Sequence, residues 1–184
     1  MVRMDLIERT LAGDPNSFKL IFDQYKNLVY RTAYLILDNS SEAEDALQET
    51  FLKVYRFLGK YQPSKGAFTT WLYRITVNHC LNQRRKLVRF MKPIETFDEK
   101  VHTSLEDKLS EEQALQQALK RLSNKLRVVI ILRYFLDLSY SEIAQVLDIP
   151  LGTVKSRLNM GLKKVRSELK AEYPGTFPIR EVSK

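Results

Sequence analysis

Residues 138–158 read LSYSEIAQVLDIPLGTVKSRL. Ser139 with Glu142 makes a capping box, which starts a short helix through Ile143, Ala144 and Leu147. Asp148-Ile149-Pro150 reads as a turn, because proline breaks a helix and pushes the residue before it into extended backbone. A last helix runs from Leu151 to about Leu169, with Val154, Leu158, Leu162 and Val165 expected as its buried stripe. Ala144 is small where the two helices must cross, and Leu147 and Ile149 fill the wedge between them. Two short helices on a tight turn, the second one basic, form the helix-turn-helix pattern.

The punctuation on either side is also helical. Ser110 with Gln113 gives a capping-box pattern before Leu115, Leu119 and Leu122, and Ser123 is placed to cap a helix through Val128, Val129, Ile131, Leu132 and Phe135. Towards the N-terminus, Asp14-Pro15 gives a cap followed by proline at the first helical position. Apolar residues then recur with helical period from Phe18 to Ile36. Ser41 with Glu44 predicts a second helix to about Leu58, and Gly59 to Gly66 reads as a loop. A third helix follows over about 67–86. No alternating strand pattern competes. The expected fold is all-α: two small helical domains joined by a linker, the C-terminal one a helix-turn-helix.

The 184 residues carry a net charge of +8, unevenly spread. Residues 1–86 hold 13 cations and 9 anions, and residues 113–184 hold 13 and 6. Between them, residues 87–112 hold 4 and 7. We therefore expect domains at 1–86 and 113–172, an acidic linker at 87–112 and a tail at 173–184. A basic excess of this kind suits a polyanion, either nucleic acid or an anionic membrane surface. The lone Cys80 excludes an internal disulfide framework, and His79 and His102 leave little for a metal centre. No cofactor is expected. No stretch approaches the ~18 apolar residues of a spanning helix, and the N-terminus lacks the apolar core of a signal peptide, so the chain reads as cytoplasmic, without membrane insertion.

Within the first domain, Thr32 to Leu52 has no Lys or Arg but five acids, and Thr50 to Ile94 has no acid but ten cations. On the helix after Ser41, Leu47, Phe51, Val54 and Leu58 form an inner stripe, and Asp45, Gln48, Glu49 and Leu52 lie outward. That outward stripe is equally a solvated face or a docking surface. On the helix 67–86, Phe68, Leu72, Ile75 and His79 share one face, while Arg74, Asn78, Asn82 and Arg85 fall on another. Amides flanked by arginines suit base edges and phosphates. Lys60, Tyr61, Lys65 and Phe68 add charge and stacking surfaces for an unpaired strand. Phe51, Trp71 and Tyr73 read as core. On the last helix, Thr153, Lys155, Ser156, Arg157, Asn159 and Met160 should meet base edges in a duplex major groove, with Lys163, Lys164 and Arg166 on phosphates. The same pattern is also that of a solvated basic face on a helical hairpin.

The stretches AEDALQETFLKVY (43–55), GAFTTWLYRITVNHCLNQRR (66–85) and LSYSEIAQVLDIPLGTVKSRL (138–158) together resemble bacterial RNA polymerase sigma factors of the extracytoplasmic-function (ECF) type, in the sigma-70 superfamily. The order and spacing of the three make the resemblance specific. It implies a transcription initiation factor, not an enzyme, that binds core RNA polymerase and directs it to promoters. On this resemblance Asp45, Gln48, Glu49 and Leu52 dock on the polymerase. Lys60, Tyr61, Lys65, Phe68, Arg74, Asn78, Asn82 and Arg85 take the unpaired minus-ten strand. Thr153, Lys155, Ser156, Arg157, Asn159, Met160, Lys163 and Lys164 read the minus-thirty-five duplex. It further implies an anti-sigma factor as partner, stress-responsive control and no homo-oligomer. Asn82 stands where the family often has an acid, and Met160 where it often has a base. A stand-alone helix-turn-helix regulator would need a dimerising element, and a nuclease would need carboxylates beside the basic surface. The sequence offers neither.

Overall fold

A computed structural model describes residues 3–90 and 111–172, with side chains described over 3–86 and 113–170. Among these described residues eight α-helices follow in order: α1 (Met4–Leu11), α2 (Pro15–Leu37), α3 (Ser40–Phe57), α4 (Phe68–Phe90), α5 (Glu111–Lys120), α6 (Asn124–Ile130), α7 (Tyr140–Leu147) and α8 (Leu151–Glu172). Single 3₁₀ turns at Leu58–Lys60 and Pro63–Lys65 shape the loop before α4, and a π-helical turn at Ile131–Phe135 ends α6. No strand occurs among the described residues.

Several local rules act where the sequence placed them. Asp14 caps α2 by accepting from the Asn16 N–H at 3.0 Å, with Pro15 at the first helical position. At α7, Ser139 Oγ accepts from the Glu142 N–H, and the Glu142 carboxylate accepts from the Ser139 N–H at 2.8 Å. Asp148 then closes α7 in the left-handed conformation at φ 54°, so the turn opens at an aspartate that tolerates it.

Elsewhere the structure corrects the reading. α3 is capped by Asn39, whose side chain accepts from the Glu42 N–H at 3.0 Å, so Ser41 sits inside the helix and not at its cap. Ser123 starts α6 through its backbone carbonyl, which accepts from the Leu126 and Arg127 N–H groups, but its hydroxyl makes no cap bond. α1 is a helix beyond those the sequence pattern predicts; Leu6 and Ile7 hold it to the core that α2 forms with α3. α4 reaches Phe90 and α5 begins at Glu111, so the expected linker of 87–112 overlaps both, and residues 91–110 lie outside the described residues together with Ser110. Leu162 is only partly buried. Its place in the inner stripe of α8 is taken by Gly161, where an added Cβ would lie 2.8 Å from Ile130 Cδ1. Side chains lean towards the helix N-terminus, and the close crossing of α6 leaves no room for one at Gly161.

Helices α1–α4 form one bundle around Ile21, Val29, Val54, Leu58 and Leu72, all essentially inaccessible. Helices α5–α8 pack around Val129, Leu132, Ile143, Val146 and Val154. The two units also pack on each other. α4 lies against α7, and one continuous apolar cluster joins Ile36, Ala43, Val77 and Cys80 to Leu119, Val128 and Ile143.

Candidate nucleic-acid interface

Three surfaces carry the residues singled out from the sequence. On α3, Asp45, Gln48, Glu49 and Leu52 are all exposed and fall on one stripe, because they are spaced by three and four. Leu52 is 51% exposed and Tyr55, one turn further on, is 56% exposed. The stripe thus sets exposed carboxylates beside two exposed apolar side chains. Tyr55 escaped the sequence reading because its spacing also fits the edge of the core stripe; its ring does lie 5.0 Å from Phe18.

The second surface is the loop 58–67 with the outer face of α4. Lys60, Lys65, Arg74, Asn78, Asn82 and Arg85 are all exposed. Arg85 donates to Asn82 Oδ1 at 3.2 Å, which sets the amide's orientation along the helix. Tyr61 is partly buried, and its hydroxyl donates to the Gly66 carbonyl at 3.2 Å. Burial pushes that phenol above its ordinary pKa, so it remains a donor. Gly66 sits at φ +151°, a conformation that favours glycine, and this bond closes the loop on itself. Clefts of about 240 and 600 Å³ open on either side of the loop.

Phe68 does not belong to the open surface. It is 3% exposed, with Tyr61 and Trp71 ring centroids at 5.3 and 5.5 Å and Tyr25 at 5.3 Å. A large ring at the head of an amphipathic helix gains more from this aromatic cluster than from water. Phe68 therefore supports the loop from beneath and is not a free stacking platform. Of the three aromatics read as core, Phe51 is buried, while Trp71 and Tyr73 are only partly so.

Behind this face, Lys53 Nζ lies 2.6 Å from His79 Nδ1. An ammonium can only donate, so His79 accepts at Nδ1 and is neutral. Burial and then the Lys53 charge hold its pKa below the ordinary 6.5. Cys80 is fully buried, its thiol pushed up to about 12 by burial, and it serves packing.

The third surface is α8. Lys155, Ser156, Asn159, Met160, Lys163 and Lys164 are exposed; Thr153 and Arg157 are partly buried at its edges. Ser156 Oγ donates to the Thr153 carbonyl at 3.0 Å. Val154, Leu158 and Val165 face inward. The helix therefore shows a polar and basic N-terminal half of the length a major groove admits. Among the described residues no cluster of His, Cys, Asp or Glu is suited to a metal ion, and no helix is long and apolar enough to cross a membrane.

The two bundles coincide with two family matches. Residues 21–90 match Sigma-70 region 2, and residues 112–165 match Sigma-70, region 4. The chain is 34% identical to the ECF RNA polymerase sigma factor SigW of Bacillus subtilis, over 89% of this chain and 95% of that one. It is 35% identical to the ECF RNA polymerase sigma-E factor of Escherichia coli, over 83% and 86%. Among solved structures it resembles the sigma factor RpoE of Bartonella quintana in complex with the anti-sigma factor NepR, at a TM-score of 0.65 and 25% identity over 84% of this chain and 98% of that one. With both regions in order and the similarity running through nearly the whole chain, this protein belongs to the ECF sigma factors of the sigma-70 superfamily, the initiation factors that direct RNA polymerase to promoters.

Proposed function

We propose that the three surfaces divide the work of promoter recognition as follows. The α3 stripe of Asp45, Gln48, Glu49 and Leu52 docks on core RNA polymerase. Lys60, Tyr61, Lys65, Arg74, Asn78, Asn82 and Arg85 take the unpaired minus-ten strand, with Phe68 as the support beneath. Thr153 to Lys164 read the minus-thirty-five duplex, with Lys163 and Lys164 on phosphates. The observation that carries this reading is the separation of chemistries: one acidic, apolar-tipped stripe and two basic, amide-bearing faces on different helices of one chain.

No covalent step is needed. Binding an unpaired strand in preference to duplex shifts the melting equilibrium by the difference in affinity between the two states. The reaction is then promoter opening driven by differential binding, and the protein works where polymerase and promoters are, in the cytoplasm. Because the RpoE neighbour is held by an anti-sigma factor, we assign the same kind of control to this chain.

The test is co-elution of the purified protein with core RNA polymerase on a sizing column. A stoichiometric complex that a housekeeping sigma factor displaces is the expected result. Absence of a complex, with tight salt-sensitive binding to duplex DNA by the protein alone, would move the assignment to a stand-alone regulator.

A further inference from the structure

The seam between the two units holds groups that the promoter reading leaves unused. At one end it lies on the strand-binding face. Gln145 of α7 lines both clefts beside the loop, its Oε1 3.4 Å from where a Cβ on Gly66 would stand. Arg74 Nη2 lies 3.4 Å from Asp148 Oδ2 at the end of α7. Glu142 is close enough to Tyr73 of α4 to raise its phenol's pKa, after burial, while Arg31 acts the other way.

At the other end the C-terminal unit grips the end of α2. The last carbonyls of a helix lack partners and carry partial negative charge. Arg84 of α4 donates to the Ile36 carbonyl at 2.8 Å, within the first unit. From the second unit, Arg127 donates to the Leu35 carbonyl at 3.4 Å and Lys120 pairs with Asp38 at 2.8 Å. Arg31 of α2 donates in return to the Phe135 carbonyl at 3.0 Å, in the π-helical turn. Arg127 is only 7% exposed. A charge that deep needs a partner, and the α2 terminus supplies it from the other unit.

We propose that this seam is an autoinhibitory latch: the grip on the α2 terminus by Arg127 and Lys120 holds α7 against the loop end of the α4 face, so that in the free protein Gln145 occupies the clefts beside the loop and Asp148 engages Arg74, while Asn78, Asn82 and Arg85 stay exposed. An incoming strand must displace Gln145, free Arg74 from Asp148 and approach the carboxylates of Glu142 and Asp148, which repel phosphate. Lys155, Asn159 and Met160 of the duplex-reading face of α8 are likewise exposed. The proposal rests on the strand-binding role assigned to the loop and α4.

The test uses the full chain labelled at Lys19→Cys and Ser167→Cys, both exposed positions on different units; the native Cys80 is buried and unreactive. Energy transfer reports the separation, and fluorescence anisotropy in a parallel unlabelled set reports binding of a fluorescein-labelled single-stranded oligothymidylate. Lys120→Glu sets two acids face to face at an exposed position and should not disturb folding. It is expected to widen the separation and raise oligonucleotide affinity by about two- to tenfold, in line with an exposed pair turned repulsive. The lost cation alone would lower affinity, so a rise has no simple charge explanation. Arg127→Met is the second variant, its fold checked by an unchanged helical circular dichroism spectrum, and is expected to move both readouts the same way. An unchanged separation in both variants overturns the latch. A widened separation with measurable but unchanged affinity overturns autoinhibition and leaves the strand-binding role standing. No binding by any form overturns the strand-binding role, and the proposal with it.

Discussion

Gly161→Ala is a substitution whose expected sign depends on the structure and not on propensity. Replacing glycine by alanine inside a helix ordinarily gains ~0.5–1 kcal/mol. Here the new Cβ would stand 2.8 Å from Ile130 Cδ1, 3.4 Å from Ile130 Cγ1 and 3.6 Å from Leu126 Cβ. Carbon atoms prefer about 3.5–4.0 Å, so the Ile130 terminus must retreat by roughly 1 Å. Ile130 is 4% exposed, so its terminal methyl must turn aside within packed surroundings. Forcing a methyl into such a site costs about 1–3 kcal/mol. The net expectation is a loss of ~0–2 kcal/mol. Gly152→Ala, near the start of the same helix, meets nothing within 4 Å and serves as the control. Urea unfolding followed by circular dichroism should place Gly161→Ala below Gly152→Ala by ~1–3 kcal/mol. Ile130→Val removes the clashing methyl. Alone it costs ~0.5–1.5 kcal/mol, and combined with Gly161→Ala it should cost little further, giving a favourable coupling energy. Equal stabilisation by the two alanines, or strict additivity in the double variant, would show that α6 and α8 do not cross at Gly161 as closely as described.

Asn39→Ala should cost ~1 kcal/mol in thermal or urea melts through loss of the α3 cap, while Ser41→Ala should be near neutral; the reverse order would restore Ser41 as the cap. Asn78→Ala or Lys155→Ala should cost ~1–3 kcal/mol of discrimination between cognate and altered promoters in transcription assays with core polymerase, and an unchanged preference would remove that residue from the reading face. Asp45→Arg should weaken co-elution with polymerase but leave DNA binding by the free protein intact; equal loss of both would indicate misfolding. His79 has a folded pKa held below 6.5, chiefly by burial and then by Lys53. The unfolded chain therefore binds more protons below about pH 6.5, so the stability contributed by neutral His79 is present above that pH. It is lost as pH falls from there through the folded value. His79→Gln should flatten that slope in urea midpoints measured across pH 5–7.5, and an unaltered slope would assign it to other groups.

The features legible in the sequence were those governed by neighbours along the chain. The Ser139–Glu142 capping box, the Asp14-Pro15 start and the Asp148 turn each close within four residues, so composition alone determines them. The exposed stripe on α3 and the amide–arginine face on α4 follow from a 100° rotation per residue, and they emerge exposed as expected. The misreadings have a common source. Asn39 and Ser41 both lie at the start of α3, and only the observed backbone, extended at φ −149° in Asn39, distinguishes them. Phe68 satisfied two patterns at once, a buried stripe and an aromatic beside cations. The contact that decides between them comes from Tyr25, far away in sequence. Gly161 carries no signal in a hydrophobicity pattern, because what matters there is the missing side chain.

The seam between the units was illegible for a related reason, and it bears on how the charge blocks should be read. Arg127 and Lys120 count towards the basic C-terminal block, where charge bookkeeping assigns them to a polyanion. In the folded chain one is buried against the Leu35 carbonyl and the other pairs with Asp38, so neither faces outward as a free cation. Asp38 in turn is one of the five acids counted between Thr32 and Leu52, yet it closes α2 in the left-handed conformation at φ 60°. Part of the apparent polarity between an acidic patch and a basic domain is thus satisfied inside the molecule. Among the charges that stay outward are Asp45 and Glu49 on α3, and Lys155, Lys163 and Lys164 on α8. The internal share, with the apolar cluster beneath it, holds the two units together.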